Sequence, residues 1–187
     1  MLADRLTVLR DRDTGHGEFR QALFEASAIL AVEAARDLPL VDVPIETPLE
    51  PTTGSRLPSE ITVVPVLRAG LGMVDPFLRL LPNARVGHVG VYRDEKAHTP
   101  VDYYQRLPTG LADAHVFVVD PMLATGGSAV FALDRLKDAG ARRLALFHHD
   151  PFHSDDDLDA IRERVLERWS VEPSRVVIAT EGAELTV

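Results

Sequence analysis

The apolar positions of this chain change their spacing several times, and each change marks an element. Between Glu18 and Arg36, residues Phe19, Leu23, Phe24, Ala26, Ile29 and Leu30 recur at helical spacing with charges between them. That pattern predicts one amphipathic helix, closed by Asp37-Leu38-Pro39. Val41-Asp42-Val43-Pro44-Ile45 alternates and reads as a strand, placed at an edge because Pro44 has no N–H for a second ladder. Pro48 to Ser59 is rich in Pro, Thr, Gly and Ser and reads as a surface loop. Then comes a continuous apolar run, Ile61 to Leu67, as a strand buried on both faces of a parallel sheet requires. A helix is predicted over Leu71 to Leu81. Val86 to Tyr92 and Val101 to Leu107 bracket a polar turn and predict a projecting hairpin. Ala114 to Asp120 is a second buried strand, ending in an acid.

The last third repeats the alternation. A helix is predicted from about Gly127 to Ala139, with Gly140 as its C-cap glycine. Arg142 to Phe147 reads as a strand. Asp155 to Trp169 reads as a helix with Leu158, Ile161, Val165 and Trp169 on one face. Its first turn carries Asp155, Asp156 and Asp157, where negative charge suits the positive helix end. Arg175 to Thr180 is the last strand. Strands alternating with helices predict a doubly wound α/β fold with a mainly parallel sheet and flanking helices. No repeat interrupts it, so residues 1–187 are expected to form a single domain.

Composition narrows the function classes. A chain of 187 residues with 45% hydrophobic and 26% charged positions is that of a globular protein with a substantial core. The formal net charge is −9, and no basic run exceeds Arg142-Arg143, so a nucleic-acid partner is not expected. The chain has no cysteine, which excludes disulfides and thiol chemistry and fits a reducing compartment. Met1-Leu2-Ala3-Asp4-Arg5 is charged at once, unlike a signal peptide. No stretch approaches the roughly 18 apolar residues of a membrane span. A cytoplasmic protein without membrane contact is expected.

The segment with chemistry runs Val118-Val119-Asp120-Pro121-Met122-Leu123-Ala124-Thr125-Gly126-Gly127-Ser128. It leads from a buried strand, past an acid at the strand tip, through small residues into a helix. Gly126 and Gly127 let the backbone approach a ligand closely. The free N–H groups of the helix start, with the hydroxyls of Thr125 and Ser128, suit a phosphate monoester. Asp120 can accept hydrogen bonds from paired sugar hydroxyls. The lysine of a Walker A loop is missing, and the pattern is not GxGxxG. Spacing alone leaves a plain strand-to-helix turn open.

The whole segment resembles the signature of uracil phosphoribosyltransferases, with Pro121 where other phosphoribosyltransferases usually carry a second acid. Val64 to Met73, containing Arg68-Ala69-Gly70, is similar to that family's pyrophosphate-loop segment. Val91-Tyr92-Arg93-Asp94-Glu95 is similar to its second arginine segment, with Asp94 where the family more often has Asn. Leu6 to Leu40 is similar to its N-terminal arm. The resemblance covers about residues 5 to 146 in the family's order. It implies the phosphoribosyltransferase-type fold and transfer of phosphoribose from 5-phosphoribosyl 1-pyrophosphate to uracil, giving UMP and pyrophosphate. Arg68 and Arg93 would hold the pyrophosphate and, with Asp120, form the catalytic set. Asp120 would hold the ribose hydroxyls. The substrate loop would comprise Asp120, Pro121, Met122, Leu123, Ala124, Thr125, Gly126, Gly127 and Ser128, with Leu123 to Ser128 on the 5′-phosphate. Mg2+ would bind with the substrate's oxygens and water rather than through protein side chains. Without the resemblance, each arginine reads as a surface charge or a partner of Asp94 or Glu95.

Arg175 to Glu184 resembles the family's last core strand and the turn after it, but the uracil-recognising segment that follows in the family has no counterpart before Val187. The uracil-binding residues are therefore unassigned, and the chain as given is expected to be slow with uracil while still binding phosphoribosyl pyrophosphate. The alternative is a catalytically impaired protein on the same fold that senses this ligand or a nucleotide. A transferase that also binds RNA conflicts with the acidic balance. His148, His149, Asp150 and His153 match no zinc spacing and read as solvated loop residues. Tyr103 and Tyr104 on the predicted hairpin are candidate contacts to a second subunit, and a homodimer or higher homo-oligomer is expected.

Overall fold

A computed structural model describes residues 1–36, 38–57, 60–93, 100–122, 127–141, 144–146, 155–169 and 176–178. The chain opens with α1 (Leu2–Arg10) and α2 (His16–Ala34), followed by the strands β1 (Val41–Glu46) and β2 (Pro51–Arg56). Next come β3 (Ile61–Leu67), α3 (Leu71–Leu80), β4 (Arg85–Val86), β5 (His88–Arg93) and β6 (Pro100–Arg106). β7 (His115–Val119), α4 (Gly127–Asp138), β8 (Leu144–Leu146), α5 (Asp155–Trp169) and β9 (Val176–Ile178) complete the order.

The strand β3 is the axis. It pairs in parallel with β7 on one side and with β4 and β5 on the other. β6 extends the sheet antiparallel to β5, and β8 pairs in parallel with β9. Every β3 residue from Ile61 to Val66 is buried, as its unbroken apolar run requires. Alternate side chains serve opposite faces. Ile61, Val63, Phe117 and Val119 meet Leu23 and Ala31 of α2 and Met73 and Phe77 of α3. Val64, Val66, Val89 and Val91 meet Leu111 and, on α4, Ala132 and Leu136. Helices thus cover both faces of a mainly parallel sheet, the doubly wound architecture expected from the alternation.

The helix ends follow from local chemistry. Gly140 has φ +99°, and beyond α4 the N–H of Gly140 reaches the Lys137 carbonyl while that of Ala141 reaches the Leu136 carbonyl. This paired closure is a left-handed C-cap that glycine adopts without a Cβ penalty. At the other end of the molecule, α1 buries none of its residues. Arg5 ties it to α2 through Glu25 at 2.8 Å, and Thr14 Oγ1 donates to the Val8 carbonyl at 2.7 Å. The α5 helix is tied to α4 where Arg168 holds Asp134, with Nε at 2.9 Å from Oδ1, and Trp169 at its end is buried.

Two expectations change. Pro48 to Ser59 is not all loop, because residues 51–56 form β2, paired with β1 from Val41↔Arg56 to Glu46↔Pro51. The turn is only residues 47–50, closed by Thr47 Oγ1 accepting the N–H groups of Leu49 and Glu50. This hairpin has hardly any buried position, which is why periodicity does not reveal it. The second hairpin, expected between Val86 and Leu107, is present, and its first strand is also a member of the central sheet. Val89 is wholly buried, whereas Tyr92, Tyr103 and Tyr104 are about half exposed. A register shift at Gly90/Val91 brings the Tyr103 ring over Gly90 and to 6.1 Å from the Tyr92 ring.

The two-faced core makes a direct forecast. Phe77 is buried on the α3 side, with its ring centroid 5.7 Å from that of Phe117. Phe77→Ala is expected to cost about 3–5 kcal/mol through lost burial and an unfilled cavity. Urea denaturation with an unchanged m-value measures it. A loss below about 1 kcal/mol would contradict this packing.

Candidate active site

Parallel pairing of β3 with β7 extends to Pro65↔Val119, so the two strands end side by side. In an open parallel sheet the ligand site lies at that carboxyl edge, where strands hand over to helices. β3 hands over through Arg68-Ala69-Gly70, a three-residue turn whose Arg68 side chain is exposed. Gly70 donates its N–H back to the Val66 carbonyl at 2.9 Å, and α3 begins at the next residue. The Leu67–Arg68 peptide bond in this turn is cis. β7 hands over through Asp120, Pro121 and Met122, and α4 begins at Gly127. Two helix amino ends, each carrying a partial positive charge, therefore lie at this edge.

Asp120 sits one residue beyond β7, half-buried, with its carboxylate turned back on the loop. Its Oδ1 accepts the Met122 N–H at 3.1 Å, so Asp120 and its own backbone hold each other in place. Burial pushes the Asp120 carboxyl above the ordinary aspartate range, and the Met122 N–H opposes that shift only in part. Such a half-buried acceptor, kept partly dehydrated, is suited to polar hydroxyls. Pro121 and Met122 are exposed, Met122 by 73%. Ser128 stands exposed in the first turn of α4, directly after Gly127.

Of the residues expected from sequence, the structure brings the Arg68 turn and Asp120 to adjacent strand ends and places Gly127 and Ser128 at a helix amino end. Arg93 closes β5, paired with Pro100. Because β5 runs parallel to β3, with Leu67↔Gly90 in register, Arg93 also belongs to the carboxyl edge. Leu123, Ala124, Thr125 and Gly126 lie outside the described residues, as do His148, His149, Asp150 and His153. Among the described residues, no three His, Cys, Asp or Glu side chains come together as a metal cluster, and no helix is long and apolar enough to cross a membrane. Sequence reading overlooks that α3 starts directly behind the Arg68 turn, so that its amino end lies at the same edge. Its available signal is the short turn Arg68-Ala69-Gly70 set directly before an apolar helix.

These features define a class, an α/β domain with a candidate ligand site at the carboxyl edge of a mainly parallel sheet. The chain matches the uracil phosphoribosyltransferase family over residues 1–167. It belongs to the uracil phosphoribosyltransferase family. The uracil phosphoribosyltransferase of Salinibacter ruber is 57% identical over 142 residues, covering 76% of this chain and 68% of that protein. That of Halalkalibacterium halodurans is 49% identical over 147 residues, covering 78% and 70%. The solved structure of the AQ2163 protein from Aquifex aeolicus is similar with a TM-score of 0.77 at 30% identity, over 95% of this chain and 80% of that one.

The environment of Asp120 fixes a pH dependence. A carboxyl whose folded pKa exceeds its unfolded value favours the folded state only while protonated, so ionised Asp120 costs stability as pH rises through its folded pKa. Asp120→Asn keeps an oxygen for the Met122 N–H and removes that cost. It is expected to raise Tm at pH 7 by on the order of 1–2 °C. The gain should vanish below the ordinary aspartate value of 3.8, where the carboxyl is neutral in both states. Differential scanning calorimetry at the two pH values reads it, and a lowered Tm at pH 7 would contradict the account.

Proposed function

We propose that this chain is a uracil phosphoribosyltransferase that binds 5-phosphoribosyl 1-pyrophosphate across the β3 and β7 ends. One observation carries the site assignment, the adjacency of the Arg68 turn and Asp120 at the ends of paired parallel strands. On this reading the Arg68 guanidinium and Arg93 hold the pyrophosphate, where planar, permanently charged donors suit phosphate oxygens. Asp120 accepts from the ribose hydroxyls. The loop from Leu123 and the amino end of α4, with Gly127 and Ser128, hold the 5′-phosphate. Family membership supports uracil as the base.

In the reaction a uracil ring nitrogen bonds to the anomeric carbon as the bond from that carbon to pyrophosphate oxygen breaks. The nitrogen's proton passes to solvent, and the bonding pair leaves with pyrophosphate. Positive charge builds on the sugar and negative charge on the leaving oxygens. Arg68 therefore interacts more strongly with the transition state than with bound substrate. Magnesium, when bound with the substrate, neutralises pyrophosphate charge. A hard, strongly hydrated ion of this kind would be held by the substrate's own oxygens and water, which leaves Asp120 to the ribose hydroxyls. Both substrates are soluble metabolites, which supports a cytoplasmic place of work.

We also read the Tyr92, Tyr103 and Tyr104 face as the contact to a second copy of the chain, because three half-exposed rings on one hairpin bury well against a like surface. Changing Tyr103 and Tyr104 together to Ser is expected to halve the mass seen by light scattering at micromolar concentration. A native chain that is already monomeric would refute this.

The site itself is tested by titration calorimetry. Arg68→Ala is expected to weaken phosphoribosyl pyrophosphate binding about 10- to 100-fold, the worth of a charge-assisted hydrogen bond or two. It should lower the rate of UMP formation further still. Unchanged affinity in Arg68→Ala and in Asp120→Asn would dismiss the site.

A further inference from the structure

We infer that Gly70 is a positioning residue that sets the spacing between the two halves of the site, an inference that rests on assigning Arg68 and Asp120 to the two ends of one substrate. Gly70 has φ −61° and ψ −18°, right-handed helical values open to any residue. Conformational freedom therefore does not explain a glycine here. Space does. A Cβ on Gly70 would stand 2.4 Å from the Val119 carbonyl oxygen and 2.8 Å from both the nitrogen and the carbonyl oxygen of Val66. These distances lie far inside ordinary contact, which for carbon is about 3.5–4.0 Å. All three atoms are main chain, and both residues belong to the buried pair β3 and β7, so no rotamer change relieves the clash.

Each neighbour of Gly70 leads to one half of the site. Arg68 lies two residues before it in the same turn, and the N–H of Gly70 anchors that turn to Val66 at 2.9 Å. Val119 is bonded directly to Asp120. The missing side chain thus lets the arginine turn rest on the peptide that carries the aspartate. A methyl group must push one off the other. Gly72 offers a contrast, since a Cβ there would meet Leu23 Cδ2 at 2.8 Å, the movable end of a side chain on α2. Gly72 is a packing glycine between helices, whereas Gly70 separates two loops that a single ligand must span.

A spanning ligand feels a changed spacing that its fragments do not. Phosphoribosyl pyrophosphate carries its pyrophosphate and its hydroxyls on one small ring, so a displacement of about 1 Å can cost on the order of 100-fold. Pyrophosphate alone needs only the Arg68 half, and ribose 5-phosphate needs only the Asp120 half. Gly70→Ala is therefore expected to lose 10- to 100-fold in affinity for phosphoribosyl pyrophosphate by titration calorimetry. Its affinities for pyrophosphate and for ribose 5-phosphate should stay nearly unchanged. Gly87→Ala, just before the amino end of β5, where a Cβ would meet the Leu107 and Pro108 side chains at 2.9 and 3.0 Å, is expected to lower Tm and keep the native affinities for all three. Equal losses for the three ligands in Gly70→Ala, or the same selective loss in Gly87→Ala, would overturn the inference. A native chain that binds none of the three would overturn the site assignment and this inference with it. Hydrogen exchange on the native chain supplies a test that needs no variant. Pyrophosphate alone should slow exchange at Met122 as well as at Gly70 and Leu71, because its half of the site rests on the other. Protection confined to Gly70 and Leu71 would show the two halves to be independent.

Discussion

Parallel pairing of β3 with β7 is the constraint from which the other placements follow. Ile61 to Pro65 lie in register with His115 to Val119, and β3 is buried on both faces. A strand with apolar side chains on both sides needs a helical layer on each, which α2 and α3 supply on one face and α4 on the other. Because the strands are parallel, both leave the sheet at the same edge, and each must turn into a helix there. The Arg68 turn and Asp120 become neighbours by that geometry alone. A one-residue slip would exchange the two faces of β7, placing Phe117 and Val119 under α4. The same register that builds the core thus aligns the site.

The electrostatics of the edge run against those of the whole chain. The formal charge is −9, yet the proposed ligand is a polyanion. Beyond a Debye length of about 8 Å at physiological salt, the global charge is largely screened. At the sheet edge proposed for it, the local charges are instead those of two helix amino ends and the exposed Arg68. Asp120 is the exception, and its position explains its tolerance. It is half-buried at a strand tip with one oxygen engaged by its own loop, an arrangement that aims at hydroxyls rather than at phosphate. Carrying that acid partly dehydrated weakens the fold slightly, a common trade between stability and a functional site.

Much of this was legible in the chain itself, for reasons visible in particular residues. The runs at 61–67 and 114–120 read as buried strands because burial on both faces removes every polar position. The helix over Asp155–Trp169 read cleanly because its apolar residues return every three or four positions up to the buried Trp169. β2 did not, since Pro-Thr-Thr-Gly-Ser-Arg carries no large apolar side chain and faces no core. α1 has no such signature, because nothing in it is fully buried and it is held by the Arg5–Glu25 ion pair and the partly buried Leu9. Arg68, Arg93 and the loop from Asp120 could be picked out by residue type and by resemblance to a family. The weight on Gly70 could not. A glycine kept for space and one kept for flexibility look the same in a sequence, and only the approach of Val119 tells them apart.

The central position of β3 also shapes how the chain must be made. As it leaves the ribosome, β3 appears with α2 and α3 to cover one face and β5 soon after to take one edge. Its other edge waits for β7, whose first pair joins Ile61 to His115. Its second face waits longer, for α4. During that interval the apolar run Ile61 to Leu67 presents an unpaired ladder and an uncovered surface, the combination most prone to join another chain. Closing β3 between its neighbours is a long-range event, and contacts so distant in sequence form slowly. The strand that organises the finished protein is thus the segment most in need of protection while synthesis is under way.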